Sequence, residues 1–298
     1  MSITTRLRDV TIHQLHEFTA PYMPVREMLP ALSDEVLEEN RSWLGESLDG
    51  DDQVMLVYQS YIVRTPRGIV LVDTGVGNDK PRDRPEWHRR TRGQYLAELR
   101  SVGVEPRDVD YVVCTHFHPD HVGWNTVLRD GEWVPTFPNA TYVFTESELA
   151  EARAKSDSAD GFPPFTDSIL PVLEAGRARV VTGEHEIDEY VRIVPSTGHT
   201  AGHGVIAAGR DEDLAVLTGD LLHVELQLRY PDLSFVRDLD QDQSARARRT
   251  VLERYCDTDT LICTGHLPRP SMGHLRRWGD SGYELVGLTP AAYTESSR

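Results

Sequence analysis

Residues 114–125, CTHFHPDHVGWN, place His116, His118, Asp120 and His121 within six consecutive positions at the end of an apolar run. Neutral imidazole nitrogen and carboxylate oxygen are the donors that bind zinc and its first-row neighbours at short range. Two histidines alone would read as a polar loop, but this group does not stand alone. His199 in VPSTGH, Asp220 in VLTGD, His266 in ICTGH and Asp73 in VLVDTG add candidates of the same chemistry.

Each of these residues follows the same local pattern, a short β-branched apolar run, then a small or turn residue, then the donor. Such runs read as buried strands, so several strand ends deliver donors toward one place. Between them lie helix-period segments at 93–103, 146–155 and 241–256. The interleaving argues for an α/β protein with donor-bearing loops at strand ends. A hairpin is expected over 54–73, turning at Pro66, Arg67 and Gly68. Residues 1–50 differ in texture, with Pro21, Pro24 and Pro30 leading into a helix capped by Ser33, and read as a lid, a dimer arm or packing. Segment 156–168 reads as an exposed loop. One domain over 1–298 is expected, with its metal-binding core at 54–275.

Bulk properties narrow the function. Thirty-one Lys plus Arg against 48 Asp plus Glu give a net charge of −17, which repels a nucleic-acid backbone. The N-terminus lacks a signal-peptide apolar region, and no run approaches the roughly 18 residues of a membrane span, so a cytoplasmic protein acting on a small molecule is expected, a homodimer remaining open. Cys114, Cys256 and Cys263 are odd in number and unsuited to a thiolate knuckle; all three read as small buried apolar residues.

The ordered set His-x-His-x-Asp-His, Gly-His, Gly-Asp and Gly-His, with an earlier Asp, resembles the metallo-β-lactamase fold superfamily over residues 54–275. The resemblance implies a four-layer αβ/βα sandwich with a dinuclear metal site at one edge. It implies His116, His118 and His199 around a first ion, Asp120, His121 and His266 around a second, Asp220 bridging both, and Asp73 orienting a ligand histidine from behind. Two divalent ions are expected, zinc first, with Mn²⁺ or Fe²⁺ as alternatives. With both ions, two carboxylates and a bridging hydroxide, the inner charge is about +1, suited to polarising a carbonyl or phosphoryl oxygen and to holding a nucleophile at neutral pH. The β-lactam-opening members carry a cysteine at the position of Asp220, flavodiiron members a glutamate at that of His118, and nuclease members extra domains. What remains is similar to the lactonase and organophosphate-hydrolase branch. Acyl-homoserine lactonases place a tyrosine three residues after the bridging Asp; this chain has His223 there, a pattern closer to the parathion-hydrolase-like group.

The expectation is therefore a dinuclear hydrolase of a small ester, foremost a lactone, using a metal-bridging hydroxide, with Asp120 or His223 managing the proton. A phosphotriester or phosphodiester hydrolase is the alternative substrate class. An iron dioxygenase using the His116, His199 and Asp220 face is the alternative chemistry, and a non-catalytic binding protein the third class. His203 reads as a turn anchor behind the metal site, His274 as the start of a surface helix, and His13, His16 and Glu17 as an amphipathic surface. Trp87, Trp124, Phe162 and Phe165 are candidates for an apolar pocket wall. Gly75 and Gly77 read as a tight turn after a strand.

Overall fold

The computed structural model describes residues 3–287 and 294–295. Two sheets face each other. The larger runs, edge to edge, through Thr294–Glu295, Ile3–Leu7, Val10–Pro24, Gln53–Thr65, Gly68–Val72, Tyr111–Val113, Thr141–Thr145 and Ala178–Val181. The smaller runs through His185–Glu186, Val191–Pro195, Gly204–Ala208, Ala215–Leu217, Leu261–Cys263, Met272–Trp278 and Gly282–Gly287.

Alternation along the strands assigns their side chains to layers. Val70, Val72 and Val113 point inward to meet Ile206, Ala208, Leu217 and Cys263 of the other sheet. Their neighbours Leu71 and Val112 point outward, where Tyr95, Leu99, Leu149 and Ala152 of helices Gln94–Ser101 and Glu146–Ser156 cover them. On the opposite side Val205, Ala207, Val216 and Ile262 pack under Val251, Leu252 and Tyr255 of helix Gln241–Tyr255. The result is a four-layer αβ/βα sandwich. Truncating a fully buried member such as Leu71 to Ala would cost about 2–5 kcal/mol.

The expected hairpin is present, Thr65 pairing with Gly68 across its turn. The helix expected from Ser33 spans Asp34–Leu44, and the Ser33 hydroxyl accepts a bond from Val36 N. Residues 3–24, part of the segment read as a lid, a dimer arm or packing, are packed as sheet strands, Val10–Pro24 pairing with Gln53–Thr65 nearly throughout. The prolines of this segment lie beyond a bulge between His16 and Phe18, toward the strand's end, where missing donors disturb the ladder least.

Three other expectations are corrected. Segment 156–168 is not all exposed: Phe165–Ile169 forms a wide helical turn, and Asp167 and Ser168 are buried because Arg82 binds the Asp167 carboxylate with two nitrogens, at 2.6 and 2.9 Å. Cys256 is only half-buried, ending a surface helix, whereas Cys114 and Cys263 are buried as strand-end residues. His274 lies on strand Met272–Trp278 rather than at a helix start. Among the described residues no helix is long and apolar enough to cross a membrane.

Candidate metal centre

Gly68–Val72 and Tyr111–Val113 are parallel, as are Ala215–Leu217 and Leu261–Cys263; Val191–Pro195 runs in the same direction as the latter pair. Their C-terminal ends carry Asp73, His116 to His121, Asp220, His266 and His199. Loops beyond the carboxyl ends of parallel strands are where α/β folds place their sites.

Two donor groups converge there. His116 Nε2 lies 3.0 Å from His118 Nδ1, which lies 2.9 Å from His199 Nε2; Asp220 Oδ2 is 3.5 and 3.2 Å from the first and last of these nitrogens. In the second group His121 Nε2 and His266 Nε2 are 3.3 Å apart and 3.8 and 3.6 Å from Asp120 Oδ2. Asp220 turns its other oxygen, Oδ1, to this group, at 2.9 Å from His121 and 3.0 Å from His266. Within each of the groups His116, His118, His199, Asp220 and Asp120, His121, His266, the donor atoms lie within 4.8 Å of one another. Donors bound at 2.0–2.2 Å to a tetrahedral ion sit roughly 3.3–3.6 Å apart, so both spacings suit a divalent cation.

The chemistry of the donors points the same way. Asp220 Oδ1 and both ring nitrogens of His223 are buried and have no well-aligned hydrogen-bond partner among the described residues, which leaves these three polar atoms for another ligand. Burial drives His116 and His118 well below their ordinary pKa, leaving neutral rings with lone pairs for a cation. Burial opposes charge on His121 and His266 too, but there the carboxylates outweigh it, Asp220 foremost, then Asp73 at His121, with Asp120 helping at both, and both are raised. His199 is pushed up to about 9, burial being overcome by hydrogen bonds to Asp220 and Asp238. A pocket of buried carboxylates calls for positive charge, which two divalent ions satisfy.

The rings are aimed from behind. Asp73 accepts from His121 Nδ1 at 2.8 Å and from Thr115 N and Oγ1 at 2.7 and 2.8 Å. Asp238 meets His199 Nδ1 at 2.7 Å, and Val57 O meets His266 Nδ1 at 2.9 Å. His203 is a backbone anchor: Asp220 N donates to its Nε2 at 3.1 Å, and its Nδ1 contacts Ser196 Oγ at 2.8 Å. Gly219, at φ 51°, lets the chain pass beneath, since a Cβ there would stand 2.7 Å from Thr115 Oγ1 and 2.8 Å from His203 Nε2.

Asp238 was missed from sequence, as were two glutamates. Glu148, buried at the start of helix Glu146–Ser156, accepts from Phe117 N and Gly202 N, each at 2.8 Å, joining the loops of His118 and His199. Glu17 is not on an amphipathic surface but 3% exposed, accepting from Val76 N at 2.7 Å and Trp124 Nε1 at 2.9 Å. Gly75 is required there, because a Cβ would lie 2.3 Å from Glu17 Oε2.

A cavity of about 380 Å³ opens over the two groups. His118, Asp120, Asp220, His223 and His266 reach it from below; Leu56, Trp87, Phe162 and Phe235 form its apolar wall. Trp124 and Phe165 belong instead to the outer core of the larger sheet, where Trp124 stacks on Tyr95 at 5.3 Å. His274 contacts Thr260 O away from the cavity.

The metallo-beta-lactamase superfamily model matches residues 56–266. The chain belongs to that superfamily. Within it, the chain is 22% identical over 228 residues to an N-acyl homoserine lactonase of Bacillus cereus, covering 72% of this chain and 84% of that one. It is 27% identical over 231 residues to the N-acyl homoserine lactonase AttM of Azorhizobium caulinodans, covering 70% and 81%. Among solved structures it is similar to the superfamily hydrolase AbOPH, with TM-score 0.80, 22% identity and 97% of each chain covered. It is also similar to AidC, a dizinc quorum-quenching lactonase, with TM-score 0.76, 21% identity and 96% and 97% covered.

Proposed function

We infer that the chain is a metal-dependent hydrolase of a small ester, with a lactone as the substrate class and two divalent ions, zinc first, as its cofactor. The observation that carries this reading is Asp220, whose Oδ2 faces the His116, His118 and His199 nitrogens while Oδ1 faces those of His121 and His266. A carboxylate so placed suits a pair of ions rather than one, which favours a hydrolase over a single-iron oxygenase. The names of the similar lactonases support the lactone over the phosphotriester.

His116, His118 and His199 would hold one ion, Asp120, His121 and His266 the other, with Asp220 shared. When bound, such ions polarise a carbonyl oxygen and supply a water whose pKa is lowered to about 7. The protein's own part is orientation and proton handling. Leu56, Trp87, Phe162 and Phe235 seat the apolar part of the substrate and exclude bulk water. His223 faces the cavity with both nitrogens free of aligned partners, placed to donate to the oxygen on which charge develops. Asp120, 7% exposed at the cavity floor, is the group that takes and returns the proton.

The test is a panel of lactones, linear esters and phosphotriesters offered to protein stripped of metal and then reconstituted with zinc, manganese or iron. Lactone turnover that vanishes on stripping and returns with two zinc or manganese ions per chain is the expected result. Oxygen uptake with one iron per chain, or unchanged turnover after stripping, would overturn it. Because the donors come from four strand ends, stripping is also expected to lower the melting temperature.

A further inference from the structure

The cavity rim carries two guanidinium groups that the proposed chemistry does not use. Arg84 lies 3.5 Å over the Tyr22 ring and 5.4 Å from that of Trp87, and donates to Tyr22 O at 2.8 Å. Arg237, from the other side, donates to the Tyr22 hydroxyl at 3.4 Å. All four residues line the cavity above the metal centre.

With a net charge of −17, carboxylates are plentiful, and Arg26, Arg41, Arg67, Arg82, Arg192, Arg249, Arg254 and Arg277 each pair with one. Among the described residues neither Arg84 nor Arg237 has an ion-pair partner. Arg64, Arg90 and Arg276 bond backbone carbonyls rather than carboxylates; Arg84 and Arg237 differ from them in facing the cavity. Asp83 and Asp160 also line the cavity but are exposed, and neither reaches a guanidinium within ion-pair distance. Stacking on Tyr22 holds the plane of Arg84 while leaving N–H groups open, the arrangement that suits a forked bond to a carboxylate. Tyr22 and Asp120 line the same cavity, so the rim and the metal centre share one space.

We propose that Arg84 and Arg237, braced by Tyr22, form a subsite for a carboxylate carried by the substrate, remote from the bond that is cleaved. The proposal rests on the hydrolase reading and narrows it to esters or lactones with an anionic tail. Apolar residues between rim and floor would seat the linking chain.

Two arms test it. In the first, the metal-loaded enzyme is given ω-carboxy esters and their ω-carboxamide isosteres across a range of chain lengths. At one length the acid is expected to exceed the amide in kcat/KM by at least about tenfold, the scale of a charge-assisted hydrogen-bond pair. In the Arg84→Gln/Arg237→Gln variant the ratio should collapse toward unity. A ratio near unity in the unaltered enzyme, or one unchanged in the variant, overturns the subsite. Because Arg84 also braces Trp87, Arg237→Gln alone, at an exposed position, serves as the variant that does not disturb folding and should lose part of the ratio. The second arm needs no turnover: quenching of tryptophan fluorescence by dicarboxylates from succinate to suberate, against monocarboxylates of equal length. Tighter dicarboxylate binding that the double variant loses supports the subsite even if no ester is hydrolysed, a result that would sink only the hydrolase reading. Equal affinity for the two series rejects the subsite.

Discussion

Asp238 holds the ring of His199, Oδ1 to Nδ1 at 2.7 Å, and does so from a loop 39 residues further along the chain. Its other oxygen, Oδ2, accepts from Phe235 N at 3.1 Å and lies 3.8 Å from Nη2 of Arg248, which is fully buried. One carboxylate thus sets the orientation of a candidate ligand, fixes a cavity-wall residue and neutralises a buried cation.

Asp238→Ala should therefore weaken zinc binding by about 10–100-fold, the usual effect of losing a group that orients a ligand histidine. The loss should fall on the His116, His118 and His199 group. The melting temperature should also drop, since a buried guanidinium loses its counter-charge. Competition with a metal chelator and thermal melts of the metal-free protein separate the two effects. Unchanged zinc affinity would remove Asp238 from the ligand scaffold.

Asp220 and Asp73 should differ in the same assay. Asp220→Ala removes the carboxylate that, among the described residues, faces both groups, and both ions should be lost. Asp73→Asn leaves the metal-facing donors in place but sets an amide against His121 Nδ1, so only the second group should weaken. Elemental analysis at limiting zinc is expected to give near zero for the first variant and about one ion for the second. Equal loss in both would mean that the carboxylates have been given the wrong roles.

The metal-facing donors were legible because they follow β-branched strands, four of them in the one loop after Tyr111–Val113 and the others singly after Val191–Pro195, Ala215–Leu217 and Leu261–Cys263. Local sequence reports such a signal, and parallel topology then gathers the ends at one edge. Asp238, Glu148 and Glu17 were not, because nothing near them in sequence marks them. Their partners, His199 for Asp238, Phe117 and Gly202 for Glu148, and Val76 and Trp124 for Glu17, lie 31 to 107 residues away. Strand Val10–Pro24 was obscured for a different reason: its prolines and its bulge break the two-residue alternation that would have announced it. The Arg82 and Asp167 pair, 85 residues apart, buries the end of a segment that otherwise has the exposure its loop composition announces.

Beside that pair sits a pH-dependent element. Lys80 is buried, its Nζ donating to Thr126 Oγ1 at 2.8 Å and to Asp167 O at 2.9 Å and lying 3.7 Å from the Trp133 ring centroid. Burial is the largest influence and lowers its pKa to about 7, Asp167 opposing the shift and Arg82 adding to it. An unfolded lysine titrates near 10.4. Between these values the unfolded chain binds a proton that the folded chain does not, so this residue's contribution to stability rises with pH across that window, by at most about 1.4 kcal/mol per unit. Below the lower value both states are protonated and the contribution is flat. Lys80→Met should remove the rise from urea-unfolding curves recorded between neutral pH and pH ~10. A rise of the same slope in the variant would place its origin elsewhere.

His223 lines the cavity floor and is the proposed donor to the substrate. Its backbone N donates to Gln227 Oε1 at 2.7 Å, fixing the loop, and its ring packs 4.5 Å from that of Phe235. Nε2 is 3.2 Å from Asp220 Oδ2 without the alignment of a hydrogen bond. A ring in this position either donates to the substrate oxygen or binds a metal, and the two roles predict different variants. If it donates, His223→Phe keeps two ions and loses about 10²-fold in kcat, the scale of one donor to a developing oxyanion. A change confined to KM would mean that it binds ground and transition states alike. Loss of an ion would make His223 a ligand, and wild-type kinetics on the preferred lactone would remove it from the chemistry altogether.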